Sequence, residues 1–248
     1  MTTHQLDPER YLALIDADTE RLITLGERGL KIPIPCLDGW DVAEVLWHVA
    51  GVYEHKVRVM ADNAWPEPWP PAHFEDKDEI EFLREAQTDL FEEFSRHDPA
   101  EQTTTFGADT TIAFWMRRMA LEVAVHRYDA ELAHADTTPI PDDESLDGID
   151  ELLRLMLEAD ESEGIVTRSP VDALVAVESA GRRWLCDARA DALSVSDDMS
   201  TPATATVSGQ PMTVFLWLWG REPDESVERS GSLEIMAEFR NRITECTQ

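Results

Sequence analysis

Apolar residues recur at helical spacing through most of the first 135 positions. In DPERYLALIDADTERLITLGERG (7–29), Leu12, Ile15, Leu22 and Leu25 mark one face, with Pro8 near the start and Gly29 near the end. That pattern predicts an amphipathic helix. KIPIPCLDGW (31–40) holds two prolines and a glycine and reads as a loop. A second helix opens at Asp41, where Glu44 three residues on completes a capping-box signature. It turns Val42, Val45, Leu46, Val49 and Val52 inward. WPEPWPPAHF (65–74) is neither helix nor strand, because its four prolines remove donors and fix φ. A third helix follows over about 76–96, on Ile80, Leu83, Leu90, Phe91 and Phe94, and a fourth over about 110–135. Four helices of similar length with short to medium connections predict an antiparallel four-helix bundle.

Past residue 136 the pattern changes. TTPIPDDESLDG (137–148) reads as a linker or loop, and DGIDELLRLMLEADE (147–161) as one more helix. From about 165 the alternation becomes strand-like, with strands expected in PVDALVAVES, GRRWLCDARAD and TPATATVSG. QPMTVFLWLWGRE predicts a helix with a dense apolar face, and SLEIMAEFRNRITE a final amphipathic one. The fold class expected is therefore mainly α plus α+β: a helical bundle over 1–160, then a small α+β domain over 161–248. No internal repeat is visible.

Charge narrows the partners. Fifty-one acidic residues stand against 21 basic ones, a formal net charge of −30. Such a chain is repelled by nucleic acid and by anionic lipid, which leaves small molecules as the expected ligands. No run approaches the roughly 18 apolar residues of a membrane helix, and MTTHQLDPERY lacks the regions of a signal peptide. Cys36, Cys186 and Cys246 are odd in number and far apart, so neither a disulfide framework nor a CxxC site is expected. A cytoplasmic location follows as the expectation.

The chemistry concentrates in ALEVAVHRYDAE (120–131). Glu122 and His126 are four residues apart and share a helix face with Arg118. Alone, such a ladder adds only a few tenths of a kcal/mol per pair to a helix. His48, in VLWHVAG on the inner half of the second helix, changes the weighing. A bundle core holding His48, Glu122 and His126 offers two imidazoles and one carboxylate, a set known from catalytic zinc sites with one open position. A surface pair and a metal site both remain open on the spacing alone. His55 and His134 are further candidates for pocket polarity, His4 belongs to the terminus, and His73 and His97 fall in loops.

GWDVAEVLWHVAGV (39–52), WMRRMALEVAVHRYDAE (115–131) and TATVSGQPMTVFLWLWGRE (204–222) together resemble the mycothiol-dependent maleylpyruvate isomerase family. The resemblance implies a DinB-like bundle followed by a small C-terminal domain. It also implies His48, Glu122 and His126 as ligands of a divalent metal, zinc or a similar ion, and mycothiol or another low-molecular-weight thiol as cofactor. In the reaction it implies, a thiolate activated by the metal adds to the cis double bond of maleylpyruvate; rotation and elimination give the trans product. Permanent S-transfer to a small electrophile is the related possibility. The chain departs from many relatives in carrying Leu121 where they have a histidine.

Arginines are the expected anchors for anionic groups, with Arg118 and Arg221 assigned to catalysis and Arg58 and Arg127 to cofactor binding. Trp65 and Trp69 would form a pocket wall, a lid or core anchors. Two other readings stand beside the thiol enzyme: a metal-dependent hydrolase, disfavoured by the lack of an HExxH-type glutamate, and a non-enzymatic metal or small-ligand binding protein. In the latter, His55 or Asp129 would close the fourth metal position. A monomer or a homodimer is expected.

Overall fold

The computed structural model describes residues 6–70, 77–157, 171–188 and 193–247. His4 and His73, the helix expected beyond 157 and the strand onset expected at 165–170 lie outside the described residues. The chain divides into two compact units, 5–138 and 139–248.

The first unit is the antiparallel four-helix bundle: α1 (Pro8–Arg28), α2 (Val42–Asp62), α3 (Glu79–Ser95) and α4 (Ile112–His134). α2 packs on α3, and α1 on α4, with further contacts of α2 with α4 and α1 with α3. The α2 capping box forms as its sequence requires. Asp41 N–H donates to Glu44 Oε2 (2.7 Å), and Glu44 N–H donates to Asp41 Oδ1 (3.1 Å). Val42, Val45, Leu46 and Val49 are fully buried below it, so the cap fixes where the His48 turn begins. α4 is buried around most of its circumference, including Arg118, Arg127, Asp129 and Glu131. A helix of that kind is a central one, and its buried polar groups must find partners within the bundle.

The second unit opens with α5 (Asp142–Glu151), which continues as a π-helical stretch over Leu152–Leu157. The division at 138/139 places it apart from the bundle, ahead of the boundary expected at 160, because α5 packs on α6 (Pro211–Leu218). Gly148 on α5 makes this approach possible: a Cβ there would lie 2.3 Å from Phe215 Cε2. The segment expected as a linker up to 148 is thus helical from Asp142. Three acids in its first turn, Asp142, Asp143 and Glu144, suit the positive end of the helix dipole, directly after Pro141.

A five-stranded sheet follows, ordered β3-β2-β1-β4-β5. Its strands are β1 (Ala173–Ser179), β2 (Arg182–Ala188), β3 (Leu193–Ser196), β4 (Ala205–Gly209) and β5 (Glu228–Gly231). β1 pairs parallel with β4, and the other pairings are antiparallel. β3 and β5, with four residues each, are edge strands that the sequence reading did not separate. α6 packs on β4, and α7 (Leu233–Thr247) on β4 and β1.

Candidate metal centre

α2 and α4 bring His48, Glu122 and His126 together. One possible ligand atom from each lies within 4.8 Å of the others. His48 Nε2 is 3.1 Å from Glu122 Oε1, and His126 Nε2 is 3.5 Å from the same oxygen. The two imidazoles meet edge to face, with centroids 4.8 Å apart. His126 is buried while His48 is 36% exposed, so the cluster opens on the His48 side.

The surroundings orient this trio. Asp129, one turn beyond His126, is fully buried and lies 3.1 Å from His126 Nδ1 through Oδ2. With Nδ1–H donated to that carboxylate, Nε2 is the ring nitrogen that faces Glu122. A carboxylate behind a ligating histidine is the usual support of a metal-binding imidazole. The second Asp129 oxygen accepts from the Cys36 thiol at 3.2 Å, which ties α4 to the loop before α2. Trp40 of the same loop stacks on His126 (6.4 Å, 8° between planes) and meets His48 edge-on at 5.3 Å. This loop lines an open recess of about 530 Å³ that includes Cys36 and Trp40.

Arg118 donates from Nη2 to Glu122 Oε2 at 2.7 Å, leaving Oε1 turned toward the imidazoles. Burial would raise the Glu122 pKa, but the His126 and His48 hydrogen bonds and the Arg118 charge outweigh it and hold the carboxyl well below its ordinary range. Burial would likewise lower His126; hydrogen bonds to Asp129 and Glu122 outweigh it and push the imidazole up to about 9. The pair thus sits as carboxylate and imidazolium, a positive charge standing where a cation could go. Two imidazole nitrogens, one carboxylate oxygen and a supporting carboxylate form a donor set that fits zinc or a similar divalent ion.

The other expected site residues separate. Arg118 joins the cluster through Glu122. Arg127 does not: it is buried on another face of α4, paired with Asp18 (3.0 Å) and Glu131 (2.7 Å) and bonded to Thr138 Oγ1 (2.7 Å). A guanidinium so engaged ties α4 to α1 within the bundle. Arg58 neighbours Glu54, whose other neighbour is Asp89 of α3. Arg221 belongs to the second unit, where it donates to the Trp219 carbonyl at 2.7 Å. His55 stands against Trp69 (4.7 Å between centroids) and Lys56, outside the ligand cluster. Asp129 lies behind His126, against its Nδ1 and the Cys36 thiol. Leu121 is buried in the core. Trp40 and Cys36 escaped the sequence reading because they sit in a proline-rich loop without periodicity.

Comparison with known proteins agrees with this geometry. Residues 11–131 match the family model described as the mycothiol maleylpyruvate isomerase N-terminal domain. The chain shares the fold of the crystal structure of the mycothiol-dependent maleylpyruvate isomerase, at TM-score 0.65 and 16% identity, covering 94% of this chain and 98% of that one. A mutant of that isomerase with one histidine replaced by alanine superposes equally well, with the same TM-score of 0.65 and 16% identity. The expected resemblance and fold class are thereby borne out. No curated protein matches by sequence. No helix among the described residues is long and apolar enough to cross a membrane.

Proposed function

We propose that this chain, whose bundle matches the mycothiol maleylpyruvate isomerase N-terminal domain and whose fold is that of a mycothiol-dependent maleylpyruvate isomerase, is a metal-dependent enzyme that uses a small thiol. The observation that carries the reading is the convergence of His48, Glu122 and His126 with Asp129 behind His126. These three residues would hold zinc or a similar divalent ion. Such an ion supplies positive charge that acidifies a bound thiol, giving a thiolate at neutral pH.

The chain's own groups do the rest. Asp129 fixes the His126 tautomer. Arg118 occupies one Glu122 oxygen, so that the other faces inward. Trp40 screens one side of both imidazoles from water. With a thiol bound there, its thiolate would add to an electrophilic carbon of a small substrate; rotation and expulsion of the thiolate would give cis–trans isomerisation, and protonation of the adduct's carbanion would give S-transfer. Isomerisation of maleylpyruvate is the specific case that the family suggests. A hydrolase would need a carboxylate free to act as general base, and the two acids of the cluster are engaged with histidines, which favours the thiol reading.

Elemental analysis of protein purified without chelator or metal-affinity resin tests this. One divalent ion per chain is expected in the wild type and none in His48→Ala or His126→Ala. Thiol-dependent turnover of maleylpyruvate or a related electrophile should follow metal content. A wild type that stays metal-free and refuses zinc would sink the reading.

A further inference from the structure

The chain has three lysines, and two have carboxylate partners: Lys31 with Asp41 (3.2 Å) and Lys77 with Glu85 (2.7 Å). Lys56 differs. Its Nζ is 4.7 Å from the centroid of Trp115 and 5.5 Å from that of Trp65, and its hydrogen bond goes to His55 Nδ1 at 3.0 Å. Among the described residues it forms no ion pair, in a protein with 51 acids. The surrounding rings form one continuous wall: Trp65 packs edge-on against Trp115 at 6.1 Å, and His55 bridges Trp65 and Trp69.

The electrostatics agree. Burial lowers the Lys56 pKa to about 8, with the Glu122 charge raising it and the Arg118 charge lowering it. Lys56 therefore lies within electrostatic reach of Glu122, a member of the trio, and of Arg118, which donates to Glu122. Burial also takes His55 down to about 4, so that ring is a neutral acceptor and supplies no counter-charge. Cation–π contact offsets only about 0.5–2 kcal/mol of the cost of sheltering an ammonium from water. The group is thus held partly desolvated beside a reactive centre, with its charge incompletely matched. A bound anion would complete it.

We infer that Lys56, with the Trp65–Trp69–Trp115 wall, is an anion subsite beside the His48–Glu122–His126 cluster, and that it takes a carboxylate of the small-molecule ligand. The placement beside a reactive centre rests on the proposed function; the anion site itself does not, because Lys56 needs no metal to bind a carboxylate. The aromatic lining suits an unsaturated acid, and the ammonium selects acids over esters or neutral electrophiles. Lys56 is a positioning residue: it fixes one end of the ligand.

The test is calorimetric titration of the full chain, zinc-loaded and metal-free, with maleate and with dimethyl maleate. Wild type should bind maleate and not the diester. Lys56→Met should weaken maleate by about 10- to 100-fold, the loss of one charge-assisted hydrogen bond. Lys56→Arg should recover most of the affinity. Zinc content and far-UV dichroism should be unchanged in both variants. A parallel titration with N-acetylcysteine and N-acetylcysteamine identifies the carboxylate's source. A Lys56-dependent preference for N-acetylcysteine assigns the subsite to the thiol's carboxylate, and Lys56-dependent maleate binding assigns it to the electrophile's. Wild type that binds neither acid at millimolar concentration, or a Lys56→Met protein as tight as wild type, overturns the proposal. Failure of the metal reading would show separately, as absent zinc with Lys56-dependent maleate binding still present in the metal-free protein.

Discussion

Asp129 has two oxygens and two tasks, on His126 Nδ1 and on the Cys36 thiol. Replacing it by asparagine keeps the volume but removes the charge that holds the imidazole. Outer partners of this kind are worth about 10- to 100-fold in metal affinity. Asp129→Asn should weaken zinc by that factor in competition with a chromophoric chelator, with the fold intact; unchanged affinity would show that packing against Trp40 alone orients the ring. At this scale the sequence was readable where chemistry follows helical spacing. Glu122 and His126 were legible from i, i+4, and Arg118 from the same face. A buried ion pair and a ligand anchor look alike in sequence, so the pairing of Arg127 with Asp18 of α1 and with Glu131 one turn along α4 was not legible. Lys56 was invisible for a related reason: what marks it is the company of Trp65 and Trp115, nine and 59 positions away.

Elements were most legible where they start with chemistry the backbone needs. The Asp41–Glu44 box was readable and is formed. Asp41→Ala should cost about 0.5–2 kcal/mol in urea unfolding, with no change in the slope. The first turns of α5 were read as a linker because prolines and acids resemble a loop; its acids are instead first-turn residues. Its seat on α6 depends on Gly148, so Gly148→Ala should destabilise the second unit by about 1–3 kcal/mol, and Phe215→Leu in the same chain should recover part of the loss. Between α2 and α3, Glu54 has its pKa raised, first by burial and then by a hydrogen bond with Asp89. A carboxyl raised in the folded state adds stability that is complete below its unfolded pKa, about 4.3, and is lost as pH rises through the folded value. Glu54→Gln should therefore melt higher than wild type at pH 8, with the gap shrinking toward pH 5. A gap independent of pH would assign the effect to packing.

At the scale of the molecule, net charge dominates. With −30 on 248 residues, self-repulsion opposes the folded state and salt screens it. Thermal unfolding should shift upward between about 0.05 M and about 0.5 M sodium chloride, more than for a neutral protein of equal size. A flat response would mean that local pairs such as Arg127–Glu131 already absorb the imbalance. The change of pattern from about residue 165 was legible as a change of class, from period 3.6 to period 2. The edge strands β3 and β5 were not, since four residues carry too little alternation to register.

All three candidate ligands, their orienting aspartate and the Lys56 wall lie in the first compact unit, which is complete at residue 138. Synthesis runs from the N-terminus, so this half leaves the ribosome before β1 has been made. A newly made chain would already carry this trio while the sheet was still being translated. On the proposed function, metal capture would then precede completion of the polypeptide, and the supply of divalent ion would act on the nascent bundle as well as on the finished protein.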